Sequence, residues 1–152
     1  MRCTLTQFHI GCKQIEAWEQ EHEDGRPGYA VKYPDGYVSW SPKDVFEKAY
    51  LPMGYKTIGP DEPEEINPDT ITQKMVDDFI TEVETKTWGE KTTIVKATLA
   101  NGFILTESSS CVDPANYCEV TGKQICLERI NNRVWLLLGF LLQTARNGVQ
   151  PQ

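Results

Sequence analysis

Two arginines four residues apart, Arg129 and Arg133, are the residues of this chain best placed to do chemistry. On a helix that spacing stacks them on one flank, and two guanidinium forks side by side suit a phosphate or carboxylate. The same spacing also suits pairing with Glu128, Glu119 or another exposed acid. Phe103 and Tyr117 are the aromatics on which an adenine could stack while the arginines hold phosphates, and Phe103 reads equally as a sheet-core residue.

A catalytic set is not visible. His9 and His22 sit early in the chain with no Ser or Cys nucleophile arranged around them. No phosphate-cradling glycine motif occurs, and carboxylates cluster only in acidic runs, Glu16 to Asp24 and Asp61 to Glu65, which read as solvated surface. The five cysteines, Cys3, Cys12, Cys111, Cys118 and Cys126, form no close pair, so neither a metal site nor a redox pair is expected. No cofactor is implied, and non-enzymatic binding is the stronger class.

The formal net charge of −7 argues against a long nucleic-acid partner, which needs a broadly basic surface. It leaves room for a local basic pocket. The longest apolar run, Val134 to Leu142, is too short to span a bilayer, and with no secretory start the expectation is reduced thiols in a cytoplasm.

The elements that must position the arginines follow from patterning. Residues 10–18 alternate loosely and predict a strand ending near Trp18, followed by a polar loop from Glu19 to Pro27. Tyr29–Tyr33 and Tyr37–Trp40 flank Pro34-Asp35-Gly36 and predict a hairpin. Ser41-Pro42-Lys43-Asp44 reads as a helix start with Ser41 as cap and Pro42 at the first position. Gly59 to Pro68 reads as an acidic, proline-rich linker. Ile71, Met75, Val76, Phe79, Ile80 and Val83 recur at helical spacing and predict a helix over 72–84, with 84–90 a candidate edge strand. Thr92–Leu99 and Phe103–Ser108 are strands joined at Asn101-Gly102, a type I′ signal, and Ser108 to Ala115 is a loop.

A helix over 117–145 would be roughly 43 Å long at ~1.5 Å per residue, with Gly122 as a point of fraying or bending. Its core stripe is predicted as Cys126, Ile130, Val134, Leu137 and Leu141, with Phe140 continuing the arginine flank. Trp135 and Leu142 fall nearly opposite that stripe, so the helix end needs a second buried surface, and a homo-oligomer is the economical explanation. The expected fold class is α+β: a small antiparallel sheet with a long C-terminal helix and a second helix packed on it, plus an N-terminal strand/hairpin/helix unit. The expected divisions are 1–58, a linker over 59–69, and a ligand-binding domain over 70–152.

Residues 71–143 resemble a small tailed-phage protein family with a T-L-x-N-G-F hairpin and a terminal W-x-L-x-G-[FY]-L-L helix. Here those are Thr98-Leu99-Ala100-Asn101-Gly102-Phe103 and Trp135 to Leu142, and Asp113-Pro114-Ala115-Asn116 resembles the family's middle loop. The first half resembles an uncharacterised prophage module. The family includes the Thoeris anti-defence proteins of the first type. The resemblance implies a sponge in the bacterial host cytoplasm. Such a protein sequesters glycocyclic ADP-ribose without cleaving it, some members are hexamers, and some also hold cyclic trinucleotides of CBASS at a separate site. It implies Phe103, Arg129 and Arg133 as ligand-binding residues, with Asn116 a weaker match, and no charged role at Leu138, where the family carries an acid. The alternative is a phage adaptor that inhibits a host protein by direct contact.

Overall fold

The computed structural model describes residues 6–54 and 68–150. Cys3, the acidic run from Asp61 to Glu65 and all but the last two residues of the expected linker lie outside them. The fold is α+β, with two small antiparallel sheets of three strands each and a long C-terminal helix. By internal contacts the chain divides into two units, Met1–Pro52 with Phe140–Gln152, and Met53–Gly139.

In the first unit, β1 (Glu16–Glu19), β2 (Gly28–Lys32) and β3 (Val38–Pro42) pair in that order, and α1 (Lys43–Ala49) follows. Ala30 and Val31 are its buried aliphatics. Tyr29 stacks on Phe46 at 4.2 Å and Phe46 on Tyr50 at 4.9 Å, so an aromatic column ties α1 to the central strand. The expected Ser41 cap is not made. β3 runs on through Pro42, which stands at the N-cap, and the Ser41 hydroxyl donates to the Pro42 carbonyl. Backbone supplies what a cap would have: the Lys43 N–H donates to the Pro27 carbonyl at 3.1 Å.

The second unit begins with α2 (Gln73–Phe79), capped by the Thr72 hydroxyl, which accepts from the Met75 N–H at 3.3 Å. Three strands follow: β4 (Ile80–Trp88), β5 (Thr92–Leu99) and β6 (Ile104–Ser110), with β5 central. The helix expected over 72–84 is therefore too long. It ends at Phe79, and Ile80 is already extended, with φ −88° and ψ 105°. Helical apolar spacing and strand alternation overlap over Ile80 and Val83, and three threonines, Thr81, Thr85 and Thr87, tip the segment to strand. The candidate edge strand at 84–90 is thus the second half of β4.

Three turns in the chain share one chemistry. In Leu99-Ala100-Asn101-Gly102-Phe103, the Gly102 N–H donates to the Leu99 carbonyl, the Leu99 N–H to the Phe103 carbonyl, and the Phe103 N–H to Asn101 Oδ1. Tyr33 to Tyr37 and His22 to Arg26 repeat those bonds with Asp35 and Asp24 in the asparagine's place. Gly25, Gly36 and Gly102 all have φ between 83° and 89°, and no other residue type has positive φ among the described residues. Each is a type I turn closed by a left-handed glycine. The expected type I′ turn at Asn101-Gly102 would need positive φ at Asn101 as well.

A 3₁₀ turn (Pro114–Asn116) leads into α3 (Glu119–Asn147). Val95, Ala97 and Leu99 on β5, Leu105 on β6, and Cys126, Ile130, Val134 and Leu138 on α3 form the core, together with Met75, Val76 and Phe79 from α2. The α3 stripe thus continues to Leu138, whereas Leu137 and Leu141 are exposed. Spacing of four throughout makes the stripe wind slowly around the helix, as a helix lying across a twisted sheet requires. Gly122 does not interrupt α3, which runs unbroken from Glu119 to Asn147. It is buried where the helix touches β5, and a Cβ there would stand 2.2 Å from Thr93 Oγ1 and 2.7 Å from Thr93 Cβ.

Candidate functional site

The phase of β6 decides what faces the arginines. The Leu99 N–H bonds the Phe103 carbonyl at one end of the strand, and the Cys111 N–H bonds the Lys91 carbonyl at the other. Odd-numbered residues therefore direct their backbone groups to β5, and even-numbered ones direct theirs outward from the sheet. Side chains alternate as well. Leu105, Glu107 and Ser109 lie opposite the buried Ala97, Val95 and Thr93, on the side that carries α3.

Arg129 and Arg133 both reach this strand. Arg129 Nη1 donates to the Ser108 carbonyl at 2.8 Å, an outward-facing backbone group on the sheet edge. Arg133 Nη1 donates to Glu107 Oε1 at 2.9 Å. The Glu107 side chain is only 21% exposed, whereas that of Arg133 is 49% exposed. Neither arginine pairs with Glu128 or Glu119 in the described contacts; Glu119 instead accepts from the Thr87 hydroxyl. The acid that matters, Glu107, is charged and on the inward side of a strand. That alternation is readable in Leu105-Thr106-Glu107-Ser108-Ser109, and it was the missed signal.

The surroundings are of mixed polarity. Burial pushes the Cys126 thiol above its ordinary pKa, the Arg129 cation opposes this and the Glu107 anion reinforces it. Each guanidinium has five N–H donors and gives one to β6 in these contacts. The remaining donors lie on an exposed flank, where an anion can reach both forks.

Within one chain the four expected ligand residues do not come together. Phe103 follows the hairpin turn and is 54% exposed, so it is not a sheet-core residue. Four to five strand residues, roughly 14–17 Å at ~3.4 Å each, separate it from Glu107 and Ser108, where the arginines land. Asn116 is exposed in the 3₁₀ turn beyond the opposite end of β6. Its N–H donates to the Asp113 carbonyl at 3.0 Å, and the Asp113 carboxylate caps the turn at Ala115. Arg129 and Arg133 are thus one locus, and Phe103 and Asn116 stand at either end of the strand beneath it.

Tyr117, the other candidate platform, is committed elsewhere. Its hydroxyl lies 2.8 Å from Thr87 Oγ1 and 2.9 Å from Thr93 Oγ1, which fastens the start of α3 to the sheet. A separate open groove of about 540 Å³ runs between α2, β4 and α3 and is lined by Asp77, Val83, Leu127, Glu128 and Asn131 among others. Its two carboxylates make it a poor anion site. Among the described residues no group of three or more His, Cys, Asp or Glu could hold a metal ion. No described helix is long and apolar enough to cross a membrane.

The helix end differs from expectation in detail. Trp135 is half-buried and its indole N–H donates to Gln73 Oε1 at 3.3 Å, so it faces α2, and Leu142 is half-buried too. The exposed residues are instead Leu136 at 72% and Phe140 at 73%, one turn apart, with Leu137 and Leu141 beside them.

Comparison with known proteins places residues 71–146, from α2 through α3, in the phage protein family named for N4 Gp49 and phage Sf6 gene 66. No curated protein and no solved structure matches the chain. The matched segment is half of the sequence and holds the whole arginine locus, and the chain belongs to this phage protein family.

Proposed function

We propose that this phage-family protein is a sponge for a small cyclic nucleotide signal. It captures the molecule intact in the bacterial host cytoplasm and so withholds it from a Thoeris effector. The observation that carries the reading is the pair of guanidiniums, Arg129 and Arg133, held a turn apart on an exposed flank by single bonds to β6. Glycocyclic ADP-ribose supplies the complementary chemistry, a pyrophosphate for the forks and an adenine for Phe103. A net charge of −7 does not oppose this, because distant exposed acids are screened over ~8–10 Å while the arginines act at contact.

Separation of Phe103 from the arginines within one chain supports a site completed only on assembly. The exposed Leu136 and Phe140 supply apolar surface for a homo-oligomer, and a hexamer is the state the family resemblance suggests. Cyclic trinucleotides of the CBASS type are a second ligand class for the same assembly, at another site.

Calorimetry against cyclic ADP-ribose isomers tests the reading. Arg129→Ala and Arg133→Ala should each weaken binding by about 1.5–3 kcal/mol, the worth of a charge-assisted hydrogen bond. Absence of heat with every isomer, or unchanged affinity in the double variant, would sink it. The exposed Leu136 and Phe140 also favour a second reading, an adaptor that inhibits a host protein by direct contact. A stable host complex without small-molecule affinity would select that one.

A further inference from the structure

The flank of α3 opposite the arginine pair carries a second locus, and its sign is reversed. Gln124, Leu127, Glu128 and Asn131 follow one another at steps of three, one and three, so they share one side of the helix. That side lines the open groove between α2, β4 and α3, whose volume of about 540 Å³ is in the range of small-molecule sites. Ile80 and Val83 of β4 add to the apolar lining, and Asp77 comes from α2.

One amide holds the two helices in register there. Gln73 Nε2 donates to Asp77 Oδ1 at 2.7 Å and to Asn131 Oδ1 at 3.1 Å, and Gln73 Oε1 accepts from the Trp135 indole at 3.3 Å. The Asp77 carboxylate therefore stands beside Asn131, and Glu128 lies three residues back along α3, ~4.5 Å of helix rise. No lysine, arginine or histidine lines the groove. Among the described residues Glu128 has no ion-pair or hydrogen-bond partner, and Asp77 has only the neutral Gln73 amide. The next acid on α2 is treated differently, since Asp78 pairs with Lys74. Two carboxylates thus face one apolar-lined groove with no counter-charge.

We propose that this groove binds a linear aliphatic diamine. Its ammonium groups meet Asp77 and Glu128, and the side-chain oxygens of Asn131 and Gln124 accept further N–H bonds. The hydrocarbon between them lies on Ile80, Val83 and Leu127, as the stem of a lysine lies on apolar surface. Charge complementarity selects this occupant. A lysine side chain of a partner protein brings one ammonium to two carboxylates. A compact divalent metal ion leaves the apolar lining unused. Because the groove and the arginine pair are on opposite flanks of α3, the diamine site is independent of the nucleotide reading.

Equilibrium dialysis of the whole protein against 1,4-diaminobutane, at constant ionic strength, tests the proposal. One diamine should bind saturably per chain. Butylamine, with the same carbon chain and one charge, should bind several-fold more weakly. Asp77→Asn and Glu128→Gln preserve shape at exposed positions, and each should weaken the diamine by up to about fivefold, the ceiling for one exposed ion pair. In the double variant diamine and butylamine should bind alike, whereas Arg129→Ala/Arg133→Ala should bind the diamine as wild type does. Absence of saturation, equal binding of diamine and butylamine to wild type, or an unchanged diamine affinity in the double variant would overturn the site. Displacement of the diamine by magnesium, beyond what sodium achieves at the same ionic strength, would make it a metal site instead. Circular dichroism checks that the variants fold. If the carboxylate variants do not, Val83→Lys takes their place: from a position 37% exposed it brings its own ammonium to the groove and should abolish diamine uptake, and full uptake by folded Val83→Lys would overturn the proposal.

Discussion

Alanine at Gly122 and at Gly139 should move stability in opposite directions, although both are glycines inside α3. At Gly122 the new methyl would overlap Thr93, 2.2 Å from Oγ1 and 2.7 Å from Cβ. Thr93 cannot give way cheaply, since it is fully buried and its hydroxyl is bonded to Tyr117. Overpacking of this kind costs about 1–3 kcal/mol, and a displaced hydrogen bond about 1 more. The helix gains about 1 kcal/mol from losing a glycine. The balance is a loss of about 1–3 kcal/mol. At Gly139 a Cβ meets nothing within 4 Å, so only the gain of about 1 kcal/mol remains. Urea unfolding of both variants, with matching slopes, gives the difference directly. Thr93→Ala should absorb part of the Gly122→Ala loss, so the two changes should be less than additive. A Gly122→Ala protein as stable as wild type would refute the packing of α3 on β5.

Other outcomes follow from the same contacts. A double-mutant cycle on Arg133→Met and Glu107→Gln should give a coupling near the top of the roughly 0.2–1 kcal/mol seen for exposed pairs, since Glu107 is mostly covered; no measurable coupling would make the pair incidental. Cys118 should be alkylated well before Cys126 as pH rises through neutrality. The Thr121 hydroxyl and the backbone N–H groups at the start of α3 lower its pKa, so its thiolate forms at lower pH, while burial raises that of Cys126. Peptide mass spectrometry over time reads the order, and Thr121→Ala should slow Cys118. Leu136→Glu with Phe140→Glu should lower the mass of the assembly in light scattering with unchanged circular dichroism, because both side chains are exposed within one chain; an unchanged mass would clear that face of a role in assembly.

Most of the second unit was legible because its signals are local. The hairpin rests on Asn101-Gly102, and the helix on a four-residue stripe beginning at Cys126. What escaped was set by partners far away in sequence. Ile80 and Val83 fit a helix until β5 pairs with them, and the stripe ends on Leu138 because the helix follows the sheet. Gly122 read as a weak point because nothing near it in sequence points to Thr93. At the candidate site, the arginine pair and its shared flank came from spacing alone. Its ties to Glu107 and Ser108 did not, since they depend on which side of β6 faces α3. The spread of Phe103 and Asn116 along β6 was equally invisible, because matched motifs carry no distances.

The central claim is capture without chemistry at Arg129 and Arg133. Its most direct measurement incubates the protein with a glycocyclic ADP-ribose, removes free ligand, denatures the complex by heat and analyses what is released by chromatography. The account predicts recovery of the unaltered nucleotide from wild type and little or none from Arg129→Ala/Arg133→Ala. Release of a cleaved product, or equal recovery from the double variant, would contradict it.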